Sequence, residues 1–214
     1  MRSTSPPDLH LEHEAGLALG RRVGGVDEVG RGPLAGPVLA AAVILPRTGL
    51  PPALARLIKD SKQLSRSVRE RLEPEIRAGV IAFAFGEASV QEIDAINILQ
   101  ATLLAMRRAV DALPVRPDYL LIDGRQLPRP LPCPAVGVIG GDRASQSIAA
   151  ASIIAKVARD REMIRLDALF PGYGWAHNAG YGTAEHMAAL RTLGATPHHR
   201  TSFAPVREQI RISA

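Results

Sequence analysis

Four acidic residues stand at the ends of apolar stretches in this 214-residue chain. Asp27 and Glu28 close the run Arg22–Val29, Asp123 follows Tyr119–Ile122, and Asp142 follows Val136–Ile139 and two glycines. Carboxylates brought together repel one another and stay ionised only with cations among them. An oxygen-only donor set favours hard Mg²⁺ or Mn²⁺ over zinc. Such a cluster suits two-metal phosphoryl transfer, with one ion activating a water and the other stabilising the leaving oxygen. Each acid also has a local reading as a cap of a turn or helix, and Asp142 ahead of Ser145 looks much like an N-cap. Convergence of several strand ends separates the two readings.

Gly30-Arg31-Gly32-Pro33 comes directly after Asp27-Glu28. Two glycines around an arginine let the backbone approach a ligand closely with its N–H groups exposed, and Arg31 would add a phosphate or minor-groove contact. By itself G-R-G is also an ordinary turn. The Gly-x₄-Gly-Lys-Ser/Thr spacing of a nucleotide-hydrolysing P-loop is missing. Other reactive residues read as structural. Asp160 lies between Arg159 and Arg161 on an Ala-rich helix and reads as an ion-pair partner. His186, His198 and His199 lack zinc-ligand spacing and read as surface or capping histidines. Cys133 sits between prolines with no base nearby in sequence.

These residues need elements to hold them. Strands are predicted at Arg22–Val29, Val38–Leu45, Val80–Gly86, Tyr119–Ile122 and Val136–Ile139. Helices are predicted at Ser65–Ala78, Val90–Ala112 (with Ser89 to Glu92 as a capping box), Ser145–Leu169, Thr183–Leu193 and Pro205–Ile212. Val38–Leu45 carries no polar residue and reads as buried on both faces. The short link between the first two strands predicts an antiparallel hairpin, and a later strand–helix–strand passage predicts parallel pairing. The fold class is therefore α/β with a mixed sheet. Adjacent strand residues point to opposite faces, so Asp27 and Glu28 share a site only if the strand ends there or Glu28 reaches in from the side. Residues 1–20 read as a loose lead-in with a short helix, ahead of one domain over residues 21–214.

Composition sets the outer bounds. The chain length suits one domain, and 46% hydrophobic residues can fill its core. A single cysteine excludes a disulfide framework and a multi-Cys zinc module. The best apolar run has eight residues, and a membrane span needs about 20. Prolines and acids interrupt the N-terminal stretch where a signal peptide is apolar. A soluble, cytoplasmic protein is expected. The net charge is +5, with 23 arginines against three lysines. Such a surface fits a phosphate-bearing partner, although the Arg/Lys ratio itself is better explained by a GC-rich genome.

The stretch Val26-Asp27-Glu28-Val29-Gly30-Arg31-Gly32-Pro33-Leu34-Ala35-Gly36-Pro37-Val38 resembles the signature of bacterial ribonuclease HII, the type 2 ribonuclease H. Asp60-Ser61-Lys62-Gln63-Leu64, Ile122-Asp123-Gly124, and Gly141-Asp142 with Ala150 to Asp160 resemble further blocks of that family, in its order. Gly172-Tyr173-Gly174, Gly180-Tyr181-Gly182-Thr183 and His199-Arg200-Thr201-Ser202-Phe203 resemble its C-terminal blocks. Together they span about residues 22–206.

The resemblance implies an RNase H-like fold, a mixed sheet of about five strands flanked by helices, with a small helical C-terminal part. It implies a two-metal endonuclease, served by Mn²⁺ or Mg²⁺, that cuts the RNA strand of RNA–DNA hybrids. It also implies incision 5′ of single ribonucleotides in duplex DNA, leaving 3′-hydroxyl and 5′-phosphate ends. Carried over by position, Asp27, Glu28, Asp123 and Asp142 form the metal site. Gly30, Arg31 and Gly32 read the RNA–DNA junction, Tyr181 packs on the ribose, and Lys62 touches a phosphate. Nothing demands more than a monomer. The G-R-G-P-L-A-G-P block and Tyr181 speak against other nucleases of the same fold. The four intact acids speak against a non-catalytic binding protein, because bare carboxylates repel phosphate.

Overall fold

The computed structural model describes residues 6–58 and 64–213. Five strands occur in chain order: β1 (Val23–Val29), β2 (Val38–Ile44), β3 (Ala82–Ala88), β4 (Tyr119–Asp123) and β5 (Ala135–Val138). The helices are α1 (His10–Glu14), α2 (Pro52–Ala55), α3 (Arg66–Gly79), α4 (Val90–Asp111), α5 (Gln146–Leu169), α6 (Trp175–Asn178), α7 (Ala184–Leu193) and α8 (Ala204–Ser213). The strands form one sheet of order β3-β2-β1-β4-β5. β1 pairs antiparallel with β2 and parallel with β4, and β4 pairs parallel with β5. This is the mixed sheet expected.

The fully buried β2 sorts its side chains by period two. Leu39, Ala41 and Val43 join a core with Leu72 and Ile76 of α3 and Ala150, Ile153 and Ile154 of α5. Val38, Ala40 and Ala42 join Ile93, Ala105 and Met106 of α4 on the opposite face. The sheet is thus the middle of three layers. A Cβ on Gly25 would stand 2.2 Å from the Ser147 backbone, so glycine is what lets the start of α5 lie directly on β1.

Boundaries shift by one or two residues, and Ser65 and Ser145 turn out to be N-caps outside their helices. The helix expected as continuous over Val90–Ala112 is broken at Asn97, whose φ is 66°. The Asn97 Oδ1 accepts from the N–H groups of Leu99 and Gln100, restarting the helix. The short helices α2 and α6 are not announced by periodicity. The described part of the lead-in, residues 6–20, is tied to the domain: Glu12 is fully buried, and its Oε1 accepts from the Ser147 N–H and from the hydroxyls of Ser145 and Ser147. A carboxylate there suits the N-terminus of α5, the helix that backs the site.

Candidate active site

Topology brings the acids together. β1, β4 and β5 run parallel, so their C-terminal ends share one sheet edge. The β1–β4 ladder ends at Val26 opposite Ile122. Asp27 and Glu28 lie just past that point, and Asp123 is the last residue of β4. Asp27 turns toward α5, where Ser152 bonds to it. Glu28 turns toward α4, in a groove with Leu99, Thr102 and Asp123. The two opposite faces meet around the open edge. One ligand oxygen from each of Asp27, Glu28 and Asp123 lies within 4.8 Å of the others.

Asp142 stands further out. It sits in a 3₁₀ turn, Gly141–Arg143, beyond β5. It is not the N-cap of α5, since Ser145 fills that position. The Gly141 N–H donates to Asp123 Oδ1 at 2.7 Å, so Asp123 anchors the turn that carries Asp142.

The electrostatics are those of like charges held close together. Burial pushes the Asp27 carboxyl well above its ordinary range, and the charges of Glu28 and Asp123, with a smaller effect from Asp142, add to the rise. Burial also raises Glu28, where Arg31 at 3.4 Å works against it. Every donor atom here is a carboxylate oxygen, so a hard divalent cation fits the cluster by both charge and ligand type.

A cleft of about 560 Å³ opens beside the acids. Asp27 and Glu28 line one side, Gly30, Arg31 and Gly32 the rim, and Tyr181 the far edge. Tyr181 is 47% exposed, and a Cβ on Gly32 would lie 3.3 Å from its ring. The turn and the tyrosine therefore stand at contact distance, and a side chain at position 32 would press on the ring. Lys62 lies outside the described residues.

The turn is held from behind by two buried arginines. Arg200 donates to the carbonyls of Gly30, Arg31, Gly36 and Pro37. Arg159 donates to those of Ala35, Pro37 and Ala179, tying the turn to the segment before Tyr181. Gly30 has φ 93°, and a Cβ there would sit 2.1 Å from Arg159 Nε, so glycine is required on both counts. Desolvation lowers Arg159 to about 10 and Arg200 to about 9, leaving both cationic at neutral pH.

Neither arginine stands out in the sequence taken residue by residue. Ser152, Lys156 and Arg159 recur at i, i+4 and i+7, and that stripe on α5 was the available signal. Asp160 is an ion-pair residue, but its partners are Lys156 and Arg69 rather than the flanking arginines. Arg161 pairs instead with Glu73. His186 and His199 are not surface residues. Both are buried, with Nε2 atoms 3.0 Å apart.

Carboxylates on parallel strand ends of a mixed sheet, beside a cleft edged by arginine and tyrosine, suit metal-assisted hydrolysis of a phosphodiester. The comparisons with known proteins narrow the class. A family model described as Ribonuclease HII matches residues 24–206. Ribonuclease HII of Rhodospirillum rubrum is 59% identical over 209 residues, covering 97% of this chain and 94% of the relative. Ribonuclease HII of Paramagnetospirillum magneticum is 58% identical, covering 94% and 98%. The crystal structure of ribonuclease H2 from Pyrococcus horikoshii superposes with a TM-score of 0.75 at 24% identity, covering 89% of this chain and 98% of that one. The chain belongs to the ribonuclease HII family. It is an endoribonuclease that acts on RNA–DNA hybrids.

Proposed function

We propose that this enzyme, besides cutting the RNA strand of hybrids, incises 5′ of single ribonucleotides embedded in duplex DNA. The observation that carries the reading is the tyrosine facing a glycine turn beside the acidic cluster. A ribose seated in the cleft against both Gly32 and Tyr181, which line it together, presents its 2′-hydroxyl to exposed backbone and to the phenol. A deoxyribose has nothing to offer there.

Asp27, Glu28 and Asp123 hold the cations, Mn²⁺ or Mg²⁺, and Asp142 completes the set from its turn. Two such ions, when bound, supply Lewis acidity at the phosphorus and lower the pKa of the attacking water. The protein supplies position. Arg31, on the rim, offers its guanidinium to a phosphate, and Lys62 contacts another. The Gly30–Gly32 backbone fixes the scissile phosphate on the 5′ side of the ribose. Water adds to phosphorus in line, the P–O3′ bond breaks, and the 3′ oxygen leaves. The products carry 3′-hydroxyl and 5′-phosphate ends.

The basic chain meets its duplex as a monomer in the cytoplasm, and among the described residues no helix is long and apolar enough to cross a membrane. The test is cleavage of an end-labelled duplex with one ribonucleotide, in Mg²⁺, Mn²⁺ or EDTA. Asp27→Asn and Asp123→Asn are expected to bind the duplex and leave it uncut. Full activity of either variant, or of the wild type in EDTA, overturns the reading.

A further inference from the structure

Behind Tyr181 lies a cluster that the cleavage chemistry does not use. Trp175 of α6, His186 of α7 and His199 are all buried, with Tyr173 stacked on Trp175 at 5.0 Å. The Trp175 indole N–H donates to His186 Nε2 at 3.0 Å. An indole nitrogen is a donor only, so His186 Nε2 is an acceptor and its proton sits on Nδ1. That Nδ1–H points at the Tyr181 carbonyl, 2.9 Å away. His199 carries the opposite tautomer. Its Nδ1 accepts the Thr196 backbone N–H at 2.9 Å, which leaves its proton on Nε2, directed at the His186 Nε2 lone pair that the Trp175 indole N–H also shares. The bonds thus run from Thr196 through His199 and His186 to the Tyr181 backbone.

We propose that His186 and His199 are positioning residues for ribose recognition, forming a two-imidazole relay that fixes the Tyr181 backbone and so sets where its ring stands against Gly32. The inference rests on Tyr181 being the ribose-facing residue. Independent bonds show how little freedom this segment has otherwise. The Thr183 N–H also donates to the Tyr181 carbonyl at 2.8 Å, the Tyr181 N–H donates to the Asn178 carbonyl, and the Leu34 N–H donates to the Gly180 carbonyl. The relay thus closes a frame whose other side is the glycine turn itself. Burial keeps both rings neutral, with His199 held down to about 4, and a neutral ring is what gives each nitrogen a fixed role.

The tautomers are read without any substitution. Nitrogen-15 spectra of histidine-labelled protein are expected to show one buried imidazole protonated at Nδ1 and one at Nε2. Two buried rings of the same tautomer overturn the relay.

Function is read with paired substitutions. His186→Asn keeps a donor near the Nδ1 position, whereas His186→Gln keeps only the distal end. Both remove packing, so both lower the melting temperature alike. Gln is expected to lower kcat/KM at a single ribonucleotide by roughly tenfold or more, and Asn by no more than about threefold, since small misplacements of a positioning group carry large rate costs. Equal losses in the two variants mean packing alone and overturn the inference. Tyr181→Ala separates the two levels. An impaired Tyr181→Ala with equal histidine variants leaves the ribose reading standing and removes the relay. An unimpaired Tyr181→Ala removes both.

Discussion

Two groups of buried like charges flank the glycine turn, and they are finished to different degrees. Behind it, the guanidiniums of Arg159 and Arg200 form no ion pair with a carboxylate among the described residues, and they reach six main-chain carbonyls between them. Backbone dipoles satisfy them within the protein. In front, the charges acting on Asp27 from Glu28, Asp123 and Asp142 are all of its own sign, and its own pKa rises in response. The rear cluster is complete as folded. The front cluster has the form of a socket for something positive. Polar satisfaction, rather than burial alone, separates structure from function here.

The largest expected effect is on the front. Asp27→Asn is expected to slow cleavage at least about a thousandfold, or roughly 4 kcal/mol of barrier. The same variant is expected to melt higher than wild type in EDTA, because it removes a charge buried among like charges. Lower stability would mean that Asp27 is compensated within the fold and would erase the contrast.

Arg200→Met is expected to act in the opposite sense. It leaves the carbonyls of Gly30, Arg31 and Gly36 without their guanidinium donor and should cost roughly 3 kcal/mol or more in urea unfolding. A loss near zero would show that water replaces the guanidinium.

Acid titration sharpens the comparison further. His199 is held down to about 4 from an ordinary 6.5, so the unfolded chain binds more protons in that interval. Its contribution is full above pH 6.5 and falls as pH drops toward 4, by up to about 3 kcal/mol. Asp27 has the reverse sign, since its raised pKa gives stability at low pH that is lost as pH rises. Urea melts across this range are expected to fall more steeply toward acid in Asp27→Asn than in wild type without cations. The smallest effect belongs to Tyr181→Phe, which removes only a hydroxyl from a half-exposed ring. Cleavage at a single ribonucleotide should drop about tenfold with little change in melting temperature.

Much of this was legible in the sequence, for physical reasons. The apolar runs gave the strands because period two and β-branched content leave a local mark. The acids stood out at strand ends, but each one singly also read as a cap, and it was the resemblance of the surrounding blocks that joined them into one site. What stayed hidden depends on contacts distant in sequence. The sequence of Arg200 carries no sign of the carbonyls it meets more than 160 residues earlier. His186 and His199 read as surface groups because neither sits in an apolar run, yet tertiary packing buries both against Trp175. The break at Asn97 was hidden because the helical period runs straight through it.

The most direct test of the account is thermal melting of the wild type and of Asp123→Asn, with and without Mg²⁺ or Mn²⁺. A cation that binds only the folded front cluster adds about 2.7 kcal/mol at a hundred times its dissociation constant. The wild type should therefore melt higher with the cation, and Asp123→Asn should show little or no change. A wild type indifferent to both ions, or a variant raised by the same amount, would contradict the reading of the acidic cluster as a cation socket.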